Sequence, residues 1–147
     1  MATVAMPSME NKLSKRVRGD IMFDAFSRGR YATDASIYQI MPVGIVVPKT
    51  VEDIEACLDF AKEEGLSVLP RGGGTSQCGQ TVNHSLTLDN TKYFNKILEL
   101  DVDNKRCIVQ PGIALDELNR ELKPHGLWFP VDVSTSSRAT IGGMTAN

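Results

Sequence analysis

Residues 43–74, VGIVVPKTVEDIEACLDFAKEEGLSVLPRGGG, constrain the fold more than any other stretch of this chain. VGIVVP is β-branched and apolar between Pro42 and Pro48, which predicts a buried strand over 43–48. Thr50 sits at an N-cap position with Asp53 three residues on, a weak capping box. Val51, Ile54, Leu58 and Ala61 then recur at helical spacing, and Gly65 supplies the stop. LSVLP (66–70) reads as the next strand. A strand, helix and strand within about 28 residues is the span of a βαβ unit, so a parallel pair with a right-handed crossover is expected. The glycines follow the carboxyl end of the second strand, where ligands of α/β sheets sit.

The remaining segments are read the same way. Residues 1–19 are expected to be loosely ordered, with Lys12, Lys15, Arg16 and Arg18 on a solvated arm. DIMFDAFSRG (20–29) has Ile21, Met22, Ala25 and Phe26 at helical spacing and predicts a short helix. SLTLD (85–89) alternates like a strand, and KILELD (96–101) and RCIVQP (106–111) flank VDNK as an antiparallel hairpin. ALDELNRELKPHG (114–126) carries Leu115, Leu118 and Leu122 on one helical face. The segment assignments together predict an α+β fold.

Gly72, Gly73 and Gly74 lose more chain entropy on ordering than other residues would, so a tight turn or a close approach must require them. Arg71 precedes them and Thr75 and Ser76 follow, a cation and two hydroxyls suited to a phosphate. The dinucleotide fingerprint GxGxxG fails because Gln77 stands at the sixth position and no helix opens in the loop. GTSQCGQT (74–81) approaches GxxxxGK[ST], but Gln80 replaces the lysine that faces the β/γ phosphates. The residues are best served by a loop whose successive amides wrap a pyrophosphate; a tight turn without ligand is the competing reading. A second stretch, WFPVDVSTSSRATIGGMTAN (128–147), offers the hydroxyls of Ser134, Thr135, Ser136 and Ser137 and then Thr140 before Gly142-Gly143. Between the two, VQPG (109–112) ends a strand in the rigid turn Pro111-Gly112.

Taken in this order, PRGGGTSQCG, VQPG and FPVDVSTSSRATIGGMTAN resemble the FAD-binding domain of the vanillyl-alcohol-oxidase/PCMH family from about Ile40 to Asn147. Within it, the chain resembles the bacterial 2-hydroxy-acid dehydrogenase branch, and GRYATDASIY (29–38) resembles the lead-in segment of its larger iron–sulfur-linked members. The resemblance implies a PCMH-type fold: an N-terminal arm and short helix over 1–39, then over 40–147 a small βαβ-containing subdomain and the start of a second mixed-sheet subdomain, incomplete at its end. It implies that Arg71, Gly72, Gly73, Gly74, Thr75 and Ser76 wrap the FAD pyrophosphate and that Gln77 and Gly79 close the turn towards the flavin. Pro111 and Gly112 would lie near the isoalloxazine and ribityl chain. Asp132, Ser134, Thr135, Ser136, Thr140, Ile141, Gly142, Gly143 and Asn147 would line a second cofactor wall. Some members tether flavin through a histidine where this chain has Thr75, so FAD is expected to bind non-covalently. Val133 stands where many relatives have proline.

The resemblance also implies hydride transfer from a small 2-hydroxy acid to flavin N5, with an electron acceptor of unspecified identity. The base and carboxylate clamp belong to parts of the family's fold beyond Asn147, so no catalytic residue is assigned and the piece by itself is expected to be inactive. Arg71 has a second reading as the partner of a carboxylate, His125 as a helix-end residue and His84 as a solvated loop residue. Two other functions share the fold: a non-catalytic ligand-binding module, and a UDP-sugar-type reductase that uses FAD with a nicotinamide substrate.

Bulk composition narrows the field further. A net charge of −2 and the lack of a basic stripe argue against a nucleic-acid partner. Cys57, Cys78 and Cys107 form no CxxC pair, and with only His84 and His125 there is no zinc spacing. No apolar run nears the about 20 residues that span a bilayer, and residues 1–16 lack a secretory h-region. A cytoplasmic location, peripheral at the inner membrane in a longer protein, is the expectation.

Overall fold

A computed structural model describes residues 6–146. The expectation of loose order over residues 1–5 and the placing of Asn147 in the cofactor wall lie outside the described residues. The chain forms two compact units, one running to Pro70 and including Ser76–Asp89, the other made of Arg71–Thr75 and the chain from Asn90 onward.

The first unit carries α1 (Met6–Leu13), β1 (Asp20–Met22), α2 (Ala25–Arg30), β2 (Gly44–Val47), α3 (Val51–Glu64), β3 (Val68–Arg71, whose last residue already belongs to the second unit) and β4 (Leu86–Asp89). These strands form one sheet in the order β1-β2-β4-β3. β2 lies parallel to β4, with Ile45 opposite Thr87. Leu86 N–H donates to the Ser67 carbonyl and Asn90 N–H to that of Arg71, so β4 and β3 advance together in parallel. β2 is buried along its whole length, as a strand covered on both faces must be. The βαβ expectation needs one correction. The strand beside β2 is β4, not β3, because Leu86, Thr87 and Leu88 are almost wholly buried and take the sheet centre.

α3 begins with the capping box in place: Thr50 Oγ1 accepts the Asp53 N–H and Asp53 reaches back to the Thr50 N–H. Gly65 ends it in the left-handed region at φ 67°. Its buried face, however, is Asp53, Cys57, Phe60 and Ala61, while Val51 and Leu58 are exposed. Phe60 joins Leu13, Phe23, Val46, Leu86 and Leu88 in the core. Full burial of such a side chain contributes about 1.5–3 kcal/mol.

The N-terminal expectations are also corrected. α1 is a helix, and Met9, Leu13 and Val17 enter the core at four-residue spacing. Lys12 and Arg16 are not solvated free cations: Lys12 Nζ lies 2.6 Å from Glu64 and Arg16 Nη2 2.8 Å from Glu63, both on α3. Residues 20–29 are not one helix. Asp20–Met22 pair antiparallel with β2, and α2 starts only after Asp24, whose carboxylate accepts the Ser27 N–H. Pairing with a buried strand outweighs local helical periodicity here, and Phe26 is left exposed.

The second unit contains the antiparallel hairpin of β5 (Ile97–Asp101) and β6 (Arg106–Val109), then α4 (Leu115–Leu122), a single 3-10 turn at Lys123–His125 and α5 (Ile141–Thr145). Asp101 accepts from the backbone and side-chain N–H groups of Asn104, which tightens the VDNK turn. Ile113, Leu118 and Leu122 form the core of the unit, with Ile97, Leu100, Cys107 and Val109 against it. Gly126 closes the 3-10 turn in the left-handed region. Among the described residues no helix is long and apolar enough to cross a membrane, and no cluster of His, Cys, Asp and Glu could hold a metal ion.

Candidate functional site

The second unit holds Arg71–Thr75 of the first motif, the VQPG turn and the described residues of the third motif. Its tail runs antiparallel beside the Pro111-Gly112 turn and the start of α4. Asp116 N–H donates to Ser136 O, Leu115 to Ala139, Ile141 to Ile113 and Gly142 to Pro111, at 2.8 to 3.1 Å. The run Ser134–Ser137 is a turn closed by Ser136 N–H on Val133 O and by Arg138 N–H on Thr135 O. Gly112 is held from the other side by its own N–H on Phe94 O at 2.7 Å.

The glycine run lies against this tail. A Cβ at Gly72 would strike the Thr140 side chain, and one at Gly73 would strike the Arg138 carbonyl. Gly74 adopts φ +66°, and the buried Arg71 guanidinium folds against its Cα. Gly72 and Gly73 are therefore needed for close approach of two chain segments, and Gly74 for its turn. Thr140 is buried, and its hydroxyl accepts the Gly143 N–H as the N-cap of α5. Gly142 and Gly143, read from sequence as part of a wall, lie within this short helix. Arg71, Gly72, Gly73, Gly74, Thr75, Pro111, Gly112, Asp132, Ser134, Thr135, Ser136, Thr140, Ile141, Gly142 and Gly143 thus all belong to one compact unit.

Ser76, Gln77 and Gly79 belong to the first unit. Ser76 Oγ donates to Gln80 Oε1 at 2.6 Å and accepts the N–H groups of Cys78 and Gln80, so this hydroxyl is committed within its own turn. Gln77 is exposed. Gly79 adopts φ +76°, with the Tyr38 ring against its Cα. Asp34 accepts from Thr81 Oγ1 at 3.0 Å and from the Ser36 N–H at 2.8 Å. Burial pushes the Asp34 carboxyl up, but the Ser36 and Thr81 donors outweigh it and hold the group below the usual carboxylate range. Sequence reasoning missed these contacts of Asp34 and Tyr38. The D-A-S triplet, a carboxylate two residues before a hydroxyl, was the available turn signal. His84 Nδ1 lies 3.1 Å from the Met41 carbonyl, a contact its reading as a solvated loop residue did not include.

The geometry fits a bound dinucleotide in chemical kind. Two residues without side chains, Gly72 and Gly73, lie against the segment that follows the hydroxyl-rich turn, with a cation at the start of the run and no carboxylate in the loop. Successive main-chain N–H groups in a turn of this sort can form an anion-binding concavity.

Comparison with known proteins agrees in kind. The family model described as an FAD binding domain matches residues 42–147. The D-2-hydroxyglutarate dehydrogenase of Haemophilus influenzae is 44% identical over 129 residues, covering 86% of this chain and 13% of that protein. Glycolate oxidase subunit GlcD of Bacillus subtilis is 36% identical over 133 residues, 87% of this chain and 28% of that protein. Among solved structures, an alkyldihydroxyacetonephosphate synthase superposes with a TM-score of 0.83 at 23% identity, covering 95% of this chain and 29% of that one, which shows the fold. The chain therefore spans less than a third of the length of these proteins.

Proposed function

The chain belongs to the FAD binding domain family, and from that premise we propose that it forms the pyrophosphate-binding part of a flavin-dependent dehydrogenase acting on a small 2-hydroxy acid. The observation that carries the reading is the apposition of Gly72 and Gly73 to Thr140 and Arg138 within one unit. It sets the side-chain-free loop against the segment that follows the hydroxyl-rich turn, which supports a reading in which both supply donors to a diphosphate with about two negative charges. Support for the substrate class comes from the relatives named D-2-hydroxyglutarate dehydrogenase and glycolate oxidase subunit.

Arg71, Gly72, Gly73, Gly74 and Thr75 hold the phosphates, with Ser134, Thr135 and Ser136 as opposing donors. Charge-assisted hydrogen bonds of this kind are roughly twice as strong as neutral ones. FAD, once bound, supplies the hydride acceptor, and the protein positions it and sets its surroundings. Thr75 offers no imidazole for a covalent link, so the flavin is held non-covalently. No residue of this chain is assigned as the catalytic base.

Titration of the 147-residue chain with FAD, followed by quenching of flavin fluorescence, tests the cofactor assignment. Saturable one-to-one binding is expected, lost on desalting and fully released by acid precipitation. Absence of binding up to millimolar FAD would refute it. Flavin remaining with acid-precipitated protein would refute the non-covalent mode. Reduction of an artificial dye by D-2-hydroxy acids, with none by a nicotinamide cofactor, tests the substrate class in the longer protein.

A further inference from the structure

We propose that Asp34 and Tyr38 are positioning residues for Ser76–Thr81, the segment that follows directly on the glycine run, and that fixing this segment restricts the freedom of Arg71–Thr75 before FAD binds. The inference rests on the FAD reading above and adds residues upstream of the family match, which starts at residue 42.

The segment carrying them is itself closed. Ile40 N–H donates to Ala32 O, and Thr33 bridges Gln39. Within that closed segment the Ser36 N–H orients Asp34 Oδ1, which leaves Oδ2 for Thr81, 47 residues away in sequence. Oδ2 takes the Thr81 hydroxyl at 3.0 Å and lies 3.4 Å from the Thr81 N–H. Two residues earlier, the Tyr38 ring fills the space that a side chain at Gly79 would need. Gln80, between these two contacts, closes on Ser76 through the 2.6 Å hydrogen bond, and Ser76 is the residue joined directly to Thr75 of the glycine run.

An exposed loop rich in glycine and small polar residues would otherwise sample many conformations, and ordering it on ligand binding would subtract from affinity. A carboxylate acceptor at Thr81 and an aromatic plate at Gly79 remove that freedom in advance. Most of Tyr38 remains exposed, so its ring contributes little to the core and its contact falls on the loop.

Three measurements on the 147-residue chain test the proposal: FAD titration, thermal melting, and backbone amide exchange by NMR. Asp34→Ala and Thr81→Ala should each weaken FAD binding roughly tenfold, the scale of a hydrogen bond to a charged group. The double variant should bind no more weakly than Asp34→Ala alone, since that variant already removes the contact that Thr81→Ala breaks. Thr81→Ser should restore binding to within about twofold, because it keeps the hydroxyl. Amides of Cys78 and Gln80 should exchange faster in Asp34→Ala, with β2 and β4 unchanged. Should Asp34→Ala fail to fold, Thr81→Ala carries the test, since it leaves the Asp34–Ser36 bond intact. Wild-type affinity in Thr81→Ala, alongside a wild type that binds FAD, would overturn the positioning role and leave the cofactor assignment standing. An affinity loss that Thr81→Ser does not rescue, or that tracks a general loss of melting temperature, would overturn it as well. A wild type that binds no FAD would sink the cofactor assignment and this proposal with it.

Discussion

A methyl group added at Gly72 would occupy the place of the Thr140 side chain, whereas one at Gly74 would meet only the far end of the Arg71 guanidinium. The two positions therefore fail differently. Gly72→Ala must push the tail away and should cost about 1–3 kcal/mol, the range for overpacking a tight contact. Gly74→Ala is strained by its φ of +66° but can displace a flexible side chain, so its cost should be about 1 kcal/mol. Chemical denaturation of the two variants, read by circular dichroism, checks the order, and equal losses would refute it. Cysteine chemistry separates along the same lines. Burial, reinforced by the neighbouring Asp53 charge, pushes the Cys57 thiol up to about 12, while Cys78 is exposed. Iodoacetamide at pH 8 should label Cys78 in the native protein and leave Cys57 unmodified until the chain is unfolded, with mass spectrometry of peptides as the readout.

At the level of elements, α3 is organised by one buried carboxylate. Asp53 accepts the N–H groups of Arg18 and Lys49 at 2.8 Å each and that of Thr50 at 3.4 Å, while its own N–H donates to Thr50 Oγ1. Asp53→Ala would leave those donors without their acceptor and remove half the capping box. A loss of about 2–4 kcal/mol in denaturant stability is expected. Lys12→Ala, which removes an ion pair from a half-exposed lysine, should change stability by less than about 1 kcal/mol. The capping box was legible in the sequence because its chemistry is local: a threonine, an acid three residues on, and a glycine at the far end. The buried face was legible only in part: Ala61 is buried and Ile54 packs against the core, but Cys57 and Phe60 did not stand out. Val51 and Leu58 fit the helical period as well as Cys57 and Phe60 do, and only the sheet beneath decides which set is covered. β1 failed for a related reason, since its strand character comes from pairing with β2 rather than from its own residues. At the site, the glycines and hydroxyls were visible as types. The ladder from Ser136 to Gly142 along Pro111–Asp116 was not, because no local periodicity encodes pairing between distant segments.

For the whole molecule, the two units differ in how deeply they are built. The first has a four-stranded sheet under two helices, with Leu13, Ile45, Phe60 and Leu86 fully enclosed. The second rests a two-stranded hairpin on α4, and Leu98 and Ile108 on the hairpin remain exposed. Two strands with one covered face are marginal by themselves. Native-state hydrogen exchange should therefore find the slowest amides in β2 and β4, and amides of β5 and β6 opening at least tenfold faster. Equal protection in the two sheets would contradict this. The chain path between the units has a further consequence. It leaves the first unit after Pro70, spends Arg71–Thr75 in the second, returns for Ser76–Asp89 and then departs. No single splice point separates one unit from the other. Excising either unit alone would mean cutting the chain on both sides of Arg71–Thr75 as well as after Asp89, so neither can be transplanted as a continuous segment.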